Sequence, residues 1–104
     1  MTELVALTEA QIADRLSQLD GWELNSRGML SKTFELDDYM AGLAFACAIG
    51  TIGEGLAHHP DLLITWRKVR VELITHDVSN KLSHLDFDVA EAIDALPYPI
   101  QNQT

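Results

Sequence analysis

Pro60 constrains the fold of this chain more than any other residue, because it separates a helical region from an extended one. A proline cannot continue a helix, and it pushes the residue before it toward extended geometry. A helix that reaches this region must therefore end near His59. Beyond Pro60 the apolar residues recur at every second position, as in a strand with one buried face. These residues are Leu62, Ile64, Trp66, Val69, Val71 and Leu73.

Arg67 and Lys68 interrupt the alternation and predict a hairpin turn. If these two residues form the loop, every apolar residue faces an apolar partner. The predicted pairs are Trp66 with Val69, Ile64 with Val71, Leu62 with Leu73 and, beyond them, His59 with His76. Directly opposed side chains have Cβ atoms about 4.5–5.5 Å apart. Two-residue hairpin loops prefer Gly, Asn or Asp, so a longer loop that shifts this register stays open.

Capping signals and turn residues predict the remaining elements. Thr8 with Gln11 and Ser83 with Asp86 have the spacing of capping boxes, which start helices. The predicted helices run from Thr8 to about Asp20, from Asp37 or Asp38 to His58, and from Ser83 to just before Pro97; the first two strands cover 22–24 and 30–35. We expect one α+β domain over residues 1–104, with a four-stranded antiparallel sheet, three helices and a loose tail at 97–104.

Composition narrows the classes of partner. Seven basic and 16 acidic residues give a net charge of −9, which opposes binding to nucleic acids and to anionic membranes. Cys47 is the only cysteine, so an internal disulfide is impossible and a reducing compartment is expected. The chain shows no signal peptide and no apolar run of membrane-spanning length. We therefore expect a cytoplasmic protein without nucleic-acid or membrane partners.

The histidines point to proton transfer. Glu54 and His58 are four residues apart and would share a helical face, and the predicted hairpin returns His76 to the same neighbourhood. An unperturbed imidazole has a pKa near 6.5, so one ring can act as an acid while another acts as a base. A metal site is the alternative for such a cluster. Adjacent histidines do not share a helical face, however, and no HExxH pattern is present, so we predict no metal.

The spacing of these residues extends to a longer motif. Glu54 precedes His58-His59-Pro60 by three intervening residues, and an aromatic residue (Trp66), a histidine (His76) and an aspartate (Asp86) follow. In this arrangement the chain resembles the pterin-4a-carbinolamine dehydratases over nearly its whole length. It departs from the family pattern at Ala57, where the family usually has Asn or Asp. The loop after His76 also lacks the family's glycines.

The resemblance implies a dehydratase that converts 4a-hydroxytetrahydrobiopterin to quinonoid dihydropterin and water without a cofactor. It implies His58, His59 and His76 as catalytic residues. The implied substrate-binding residues are Glu54, Pro60, Thr75, Asp77 and Val78. We expect His58 and His76 to act as acids, and His59 to position the pterin and accept a proton. Glu54 is expected to hold His58 across one helical turn.

Three further expectations concern single residues and assembly. Asp86 is first a helix-capping residue, and Trp66 is expected to pack in the core rather than against a pterin, whereas the role of Trp22 stays open. The glycines of the central helix and the edge of so small a sheet predict a homodimer or homotetramer. Relatives that act as dimerisation cofactors for a homeodomain transcription factor, or as protein-assembly helpers, supply the alternative function. Such a role would not require all three imidazoles.

Overall fold

The computed structural model describes residues 4–97, which form three helices and one four-stranded antiparallel sheet. The elements are α1 (Glu9–Ser17), β1 (Glu23–Leu24), β2 (Leu30–Glu35), α2 (Tyr39–Gly55), β3 (Asp61–Ile64), β4 (Lys68–Leu73), a 3-10 turn (His76–Val78) and α3 (His84–Asp94). The strand order in the sheet is β1-β2-β4-β3. The predicted α+β class and order of elements are confirmed. The predicted loose tail at 97–104 lies outside the described residues, apart from Pro97.

The helices begin where the side chains predict. Thr8 accepts a hydrogen bond from the backbone N–H of Gln11, whose own side chain accepts from the Thr8 N–H. Ser83 and Asp86 form the second capping box, before α3. Each box satisfies N–H groups that the first turn of a helix leaves without partners. Asp38 caps α2 through its carboxylate.

One face of the sheet carries the core. The apolar side chains of β2 and β4 point toward the helices and are buried, whereas Thr33, Glu35, Lys68 and Arg70 on the opposite face are exposed. The buried residues are dominated by aliphatic and aromatic side chains. The largest side chains with almost no exposed surface are Phe45, Phe87, Leu30, Ile49, Leu73 and Ile93. This packing fixes β4 beneath α2 and α3, and so fixes the end of β4 that leads to His76.

The predicted register of the hairpin is wrong by two residues. Leu62 pairs with Val71, and Ile64 pairs with Val69. The two-residue loop is Trp66-Arg67, closed by a 2.9 Å hydrogen bond from the backbone N–H of Thr65 to the carbonyl of Lys68. A shift of two residues leaves every side chain on the same face, so apolar residues still meet apolar residues. The predicted direct opposition of His59 and His76 is lost.

The two tryptophans have opposite environments. Trp66 lies in the hairpin loop and is 73% exposed, so its predicted place in the core is wrong. The guanidinium of Arg67 covers its ring, with 5.6 Å between Cζ and the ring centroid. Trp22 is buried in the core, and its indole N–H donates to the carboxylate of Asp94 at 3.0 Å.

Candidate active site

The turn after α2 sets the positions of His58 and His59. The helix was predicted to reach His58, but it ends at Gly55. Ala57 follows in the left-handed conformation, with φ of 55°. The backbone N–H of His58 then donates to the carbonyl of Gly53 at 2.9 Å, and that of Ala57 donates to Glu54 at 3.2 Å. These two bonds define a Schellman motif, which redirects the chain before the histidine pair.

Gly53 lets the redirected chain pack closely against the helix. A Cβ on Gly53 would lie 2.8 Å from Cδ of Pro60 and 3.0 Å from the carbonyl oxygen of His58. Both distances are shorter than ordinary van der Waals contact, so only glycine fits without a shift of the His58–Pro60 backbone. This glycine of the central helix therefore allows a close contact within the chain itself.

His58 is held by a buried carboxylate. Its Nε2 lies 2.6 Å from Oδ1 of Asp86, and the two side chains are 11% and 0% exposed. The other carboxylate oxygen of Asp86 accepts hydrogen bonds from the Thr75 hydroxyl at 2.6 Å and the Ser83 backbone N–H at 2.9 Å. The Thr75 and Ser83 hydroxyls also share a hydrogen bond of 2.7 Å. Asp86 therefore caps α3 and orients His58 at the same time.

Glu54 binds His59, and the prediction that it would hold His58 is wrong. Nε2 of His59 lies 2.8 Å from Oε1 of Glu54. The prediction assumed helical spacing up to His58, but the left-handed turn at Ala57 ends that spacing and rotates His58 toward α3. The His59 and Glu54 side chains are 66% and 82% exposed, so water screens their interaction.

His76 begins the 3-10 turn after β4, and its ring is held within the same loop. Its Nδ1 lies 2.5 Å from Oδ1 of Asn80. Ser79 and Asn80 both adopt positive φ, at 62° and 58°. The loop is closed by a hydrogen bond of 3.0 Å from the Thr75 N–H to the carbonyl of Lys81.

The three imidazoles meet at one cavity of about 210 Å³. Polar groups and apolar walls both contribute to its lining. The lining residues are Leu4, Ala57, His58, His59, Ile74, Thr75, His76, Asp77 and Leu85. Five of the predicted site residues thus lie together here: His58, His59, Thr75, His76 and Asp77. Of the other three, Glu54 contacts His59, Pro60 packs on Gly53, and Val78 is half-buried in the 3-10 turn.

Comparison with known proteins assigns the family. A family model described as pterin 4 alpha carbinolamine dehydratase matches residues 5–96. The chain belongs to this family. A Roseiflexus sp. (strain RS-1) protein that bears the family's name is 39% identical over 90 residues, covering 86% of this chain and 95% of that protein. A second relative, from Stenotrophomonas maltophilia (strain K279a), is 43% identical over 91 residues and covers 86% of this chain and 78% of its own.

A solved structure agrees with the family assignment. The crystal structure of a transcriptional coactivator/pterin dehydratase from Brucella melitensis superimposes with a TM-score of 0.80 at 30% sequence identity. The match covers 86% of this chain and 96% of the other. The pterin carbinolamine dehydratase fold is therefore shared over most of both molecules.

Two polar contacts of this site were not predicted from sequence. Asp86 was interpreted first as a helix cap and only second as a site residue, and its hydrogen bond to His58 was not foreseen because the spacing to Ser83 gives no sign of that partner. Asn80 carries no signal in the sequence, since its contact with His76 depends on two consecutive residues with positive φ. Among apolar residues, Leu85 could have been found from its place one residue before Asp86, on the first turn of α3.

The described residues also bear on metals and membranes. Within residues 4–97, no group of three or more His, Cys, Asp or Glu side chains is arranged to hold a metal ion. In each of His58, His59 and His76, one ring nitrogen is already hydrogen-bonded to a carboxylate or amide oxygen. No helix in that range has the length and apolar character needed to cross a bilayer.

Proposed function

We propose that this protein dehydrates 4a-hydroxytetrahydrobiopterin to quinonoid dihydropterin, in the cytoplasmic recycling of tetrahydrobiopterin. Membership of the family supports the reaction class. The observation that carries the proposal is the grouping of His58, His59 and His76 around one cavity. Each ring has one nitrogen bound to an acceptor oxygen, and no partner within residues 4–97 occupies the other nitrogen.

The reaction needs one proton delivered and one removed. The substrate is a carbinolamine, in which C4a carries a hydroxyl and N5 carries a hydrogen. An acid protonates the hydroxyl, so that the C4a–O bond breaks and water leaves. A base takes the N5 proton, and the electron pair of that N–H bond forms the C4a–N5 double bond of the quinonoid product. Imidazoles suit both steps at neutral pH, and each positioned acid or base contributes about 10²–10⁴-fold.

Each ring has a proposed role in these two steps. His58 and His76 act as acids toward the 4a-hydroxyl, and His59 positions the pterin and accepts the N5 proton. Asp86 orients His58 through the 2.6 Å hydrogen bond between its Oδ1 and the Nε2 of the ring. Thr75 and Asp77 are proposed as direct substrate contacts because they line the cavity. Glu54, Pro60 and Val78 then support the site through neighbouring residues.

The test is turnover of a chemically prepared 4a-hydroxytetrahydropterin, followed by absorbance against the spontaneous dehydration. The wild-type protein should accelerate product formation. A variant with His58, His59 and His76 all replaced by Ala should lose the acceleration. His84→Ala is the matched control, because this fourth histidine lies exposed on α3, paired with Asp88. A triple variant with undiminished turnover would refute the enzyme.

A protein-binding role is the second candidate. It draws on the name of the Brucella melitensis structure, which includes the word coactivator. It also draws on the exposed apolar residues at the start of α2, where Tyr39 is 47% and Met40 is 68% exposed. The triple histidine variant separates the two functions, because partner binding through α2 should survive the loss of all three imidazoles.

A further inference from the structure

Asn80 lies outside the residues to which the motif assigns a role, yet it makes the shortest hydrogen bond to a proposed catalytic ring. Its Oδ1 is 2.5 Å from Nδ1 of His76. An amide oxygen can only accept a hydrogen bond, so Nδ1 must carry the hydrogen. In the neutral ring the second nitrogen, Nε2, is then left as the unprotonated acceptor.

We propose that Asn80 is a positioning residue that fixes His76 in the Nδ1–H form and directs Nε2 to the substrate. The inference rests on the dehydratase function proposed above and names the atom through which His76 exchanges its proton. As an acid, the His76 imidazolium gives the Nε2 proton to the leaving hydroxyl. The neutral ring that results keeps its hydrogen on Nδ1, which is the form that Asn80 stabilises. No rearrangement of the ring is then needed after the step.

The loop conformation explains why an asparagine fits this position. Residue 80 has φ of 58°, in the left-handed region, where a Cβ is costly and Asn is one of the tolerated residues. Glycine would satisfy the backbone equally well but would bring no acceptor to His76. Asparagine therefore supplies both the backbone conformation and the hydrogen bond, whereas Ser79, at φ of 62°, supplies only the first.

Among the groups around the cavity, the hydrogen bond to Asn80 determines the tautomer of His76. The other polar groups that line the cavity are His58, His59, Thr75 and Asp77. His58 is committed to Asp86, and the Thr75 hydroxyl to Asp86 and Ser83. Within residues 4–97 no second acceptor is hydrogen-bonded to the His76 ring. Removing the Asn80 amide should therefore release the ring to exchange between its two neutral forms and to rotate.

The experiment uses Asn80→Gly, which keeps the left-handed backbone but removes the acceptor. Long-range proton–nitrogen NMR of the imidazoles in the free protein reports which nitrogen of His76 carries the hydrogen. We expect Nδ1–H in the wild type, a mixture of both forms in Asn80→Gly, and recovery in Asn80→Asp, whose carboxylate oxygen accepts the same bond. Ser79→Gly is the control, because it changes the adjacent left-handed residue and leaves the acceptor in place.

Kinetics on the synthetic carbinolamine give the second readout. Asn80→Gly should lower kcat by about 3- to 10-fold with little change in KM, a fraction of what a whole acid–base group contributes. Ser79→Gly should retain wild-type kcat. Nε2–H as the main form in the wild type, or an unchanged kcat in Asn80→Gly, would overturn the inference. The tautomer measurement needs no substrate, so it decides the hydrogen bond even if the turnover assay refutes the proposed function.

Discussion

The three histidines of the cavity differ in how firmly each ring is held. The His58 side chain is 11% exposed and contacts Asp86, whose side chain has no exposed surface, so most of the pair is shielded from solvent. His59 and Glu54 meet in water, where ion pairs contribute little to stability. His76 is tied to a neutral amide. Removal of the His58 ring should therefore lower the stability of the fold as well as the proposed activity, because it leaves the buried Asp86 carboxylate without one of its hydrogen-bond partners.

Single substitutions should separate the roles of the three rings. His58→Ala and His76→Ala should each lower turnover by about 10- to 1,000-fold, because each removes at most one acid–base contribution. His59→Ala should raise KM, since this ring positions the pterin, and should also lower kcat, since it accepts the N5 proton. If the two acids serve opposite faces of the pterin, their variants should lose activity toward different stereoisomers of the 4a-hydroxyl.

Two controls accompany these variants. Circular dichroism and urea unfolding should show His76→Ala folded as the wild type, and His84→Ala should keep full activity. Equal losses on both stereoisomers in each variant would contradict the assignment of two acids. A loss of kcat alone in His59→Ala would contradict its positioning role.

Metal removal should leave the activity unchanged. The proposed mechanism moves protons between imidazoles and substrate, and all three rings already have hydrogen-bond partners of their own. We expect protein purified without added metal to be active, and the activity to survive dialysis against EDTA. Stoichiometric zinc or iron in elemental analysis, lost together with activity, would contradict the mechanism.

At this scale the sequence predicted which residues gather but not how they pair. His58, His59 and His76 lie together as expected, yet Glu54 pairs with His59 and Asp86 with His58. The helical spacing that linked Glu54 to His58 ends at Gly55. One left-handed residue, Ala57, decides the outcome, and alanine carries no signal for that conformation.

The turn after α2 contains strain that a single substitution should release. A left-handed non-glycine residue costs about 1–2 kcal/mol. Glycine avoids this cost, but its unfolded chain has more conformational freedom to lose on folding, which offsets part of the gain. Ala57→Gly should therefore raise the free energy of unfolding by about 0.5–1 kcal/mol. Ala44→Gly, at an exposed position inside the same helix, should lower it by a similar amount. Urea denaturation measures both, and the same sign for the two variants would contradict the argument.

Gly53 should tolerate no side chain. Its Cβ would overlap Pro60 and the His58 carbonyl, so Gly53→Ala must displace the segment that carries both histidines. We expect a loss of about 1–3 kcal/mol in stability, together with reduced turnover. Gly55→Ala is the matched control, because a Cβ there meets no atom within 4 Å. Equal stability of the two alanine variants, measured by urea unfolding, would refute this account of the close contact.

The hairpin shows what an alternating pattern can and cannot fix. Alternation determines which side chains face the core, and Leu62, Ile64, Val69 and Val71 face it as predicted. It does not distinguish registers that differ by two residues, because both bury the same set. Only the loop residues could distinguish the two registers. Neither Arg67-Lys68 nor Trp66-Arg67 contains a residue that two-residue turns prefer.

For the molecule as a whole, most of the fold could be predicted from local signals in the sequence. Both capping boxes, the end of the last helix before Pro97 and the order of helices and strands along the chain follow from short stretches of sequence. The cavity depends instead on contacts between distant segments, such as His58 with Asp86. Such contacts are settled by packing of α3 against the sheet and the turn after α2, which no short window of sequence contains.

Assembly is the remaining property of the whole molecule, and two surfaces support the predicted homodimer or homotetramer. β3 lies at the edge of the sheet, with Leu63 46% exposed, and an open edge offers backbone groups to a second strand. The outer side of α2 carries exposed small residues, including Ala44, Cys47 and Gly50, which allow close approach of another helix. Sedimentation at micromolar concentration should therefore show a dimer or a tetramer.

Gly50→Leu tests the helix surface directly. A Cβ at Gly50 meets no atom within 4 Å in the single chain, so leucine should be tolerated by the monomer fold. If α2 forms an interface, the larger side chain should shift sedimentation toward smaller species and lower the unfolding temperature. Ala13→Leu, on the exposed side of α1, is the control and should leave assembly unchanged. A wild-type monomer would contradict the prediction of an oligomer, whereas an unaffected Gly50→Leu oligomer would exclude this helix surface and leave the β3 edge as the route of association.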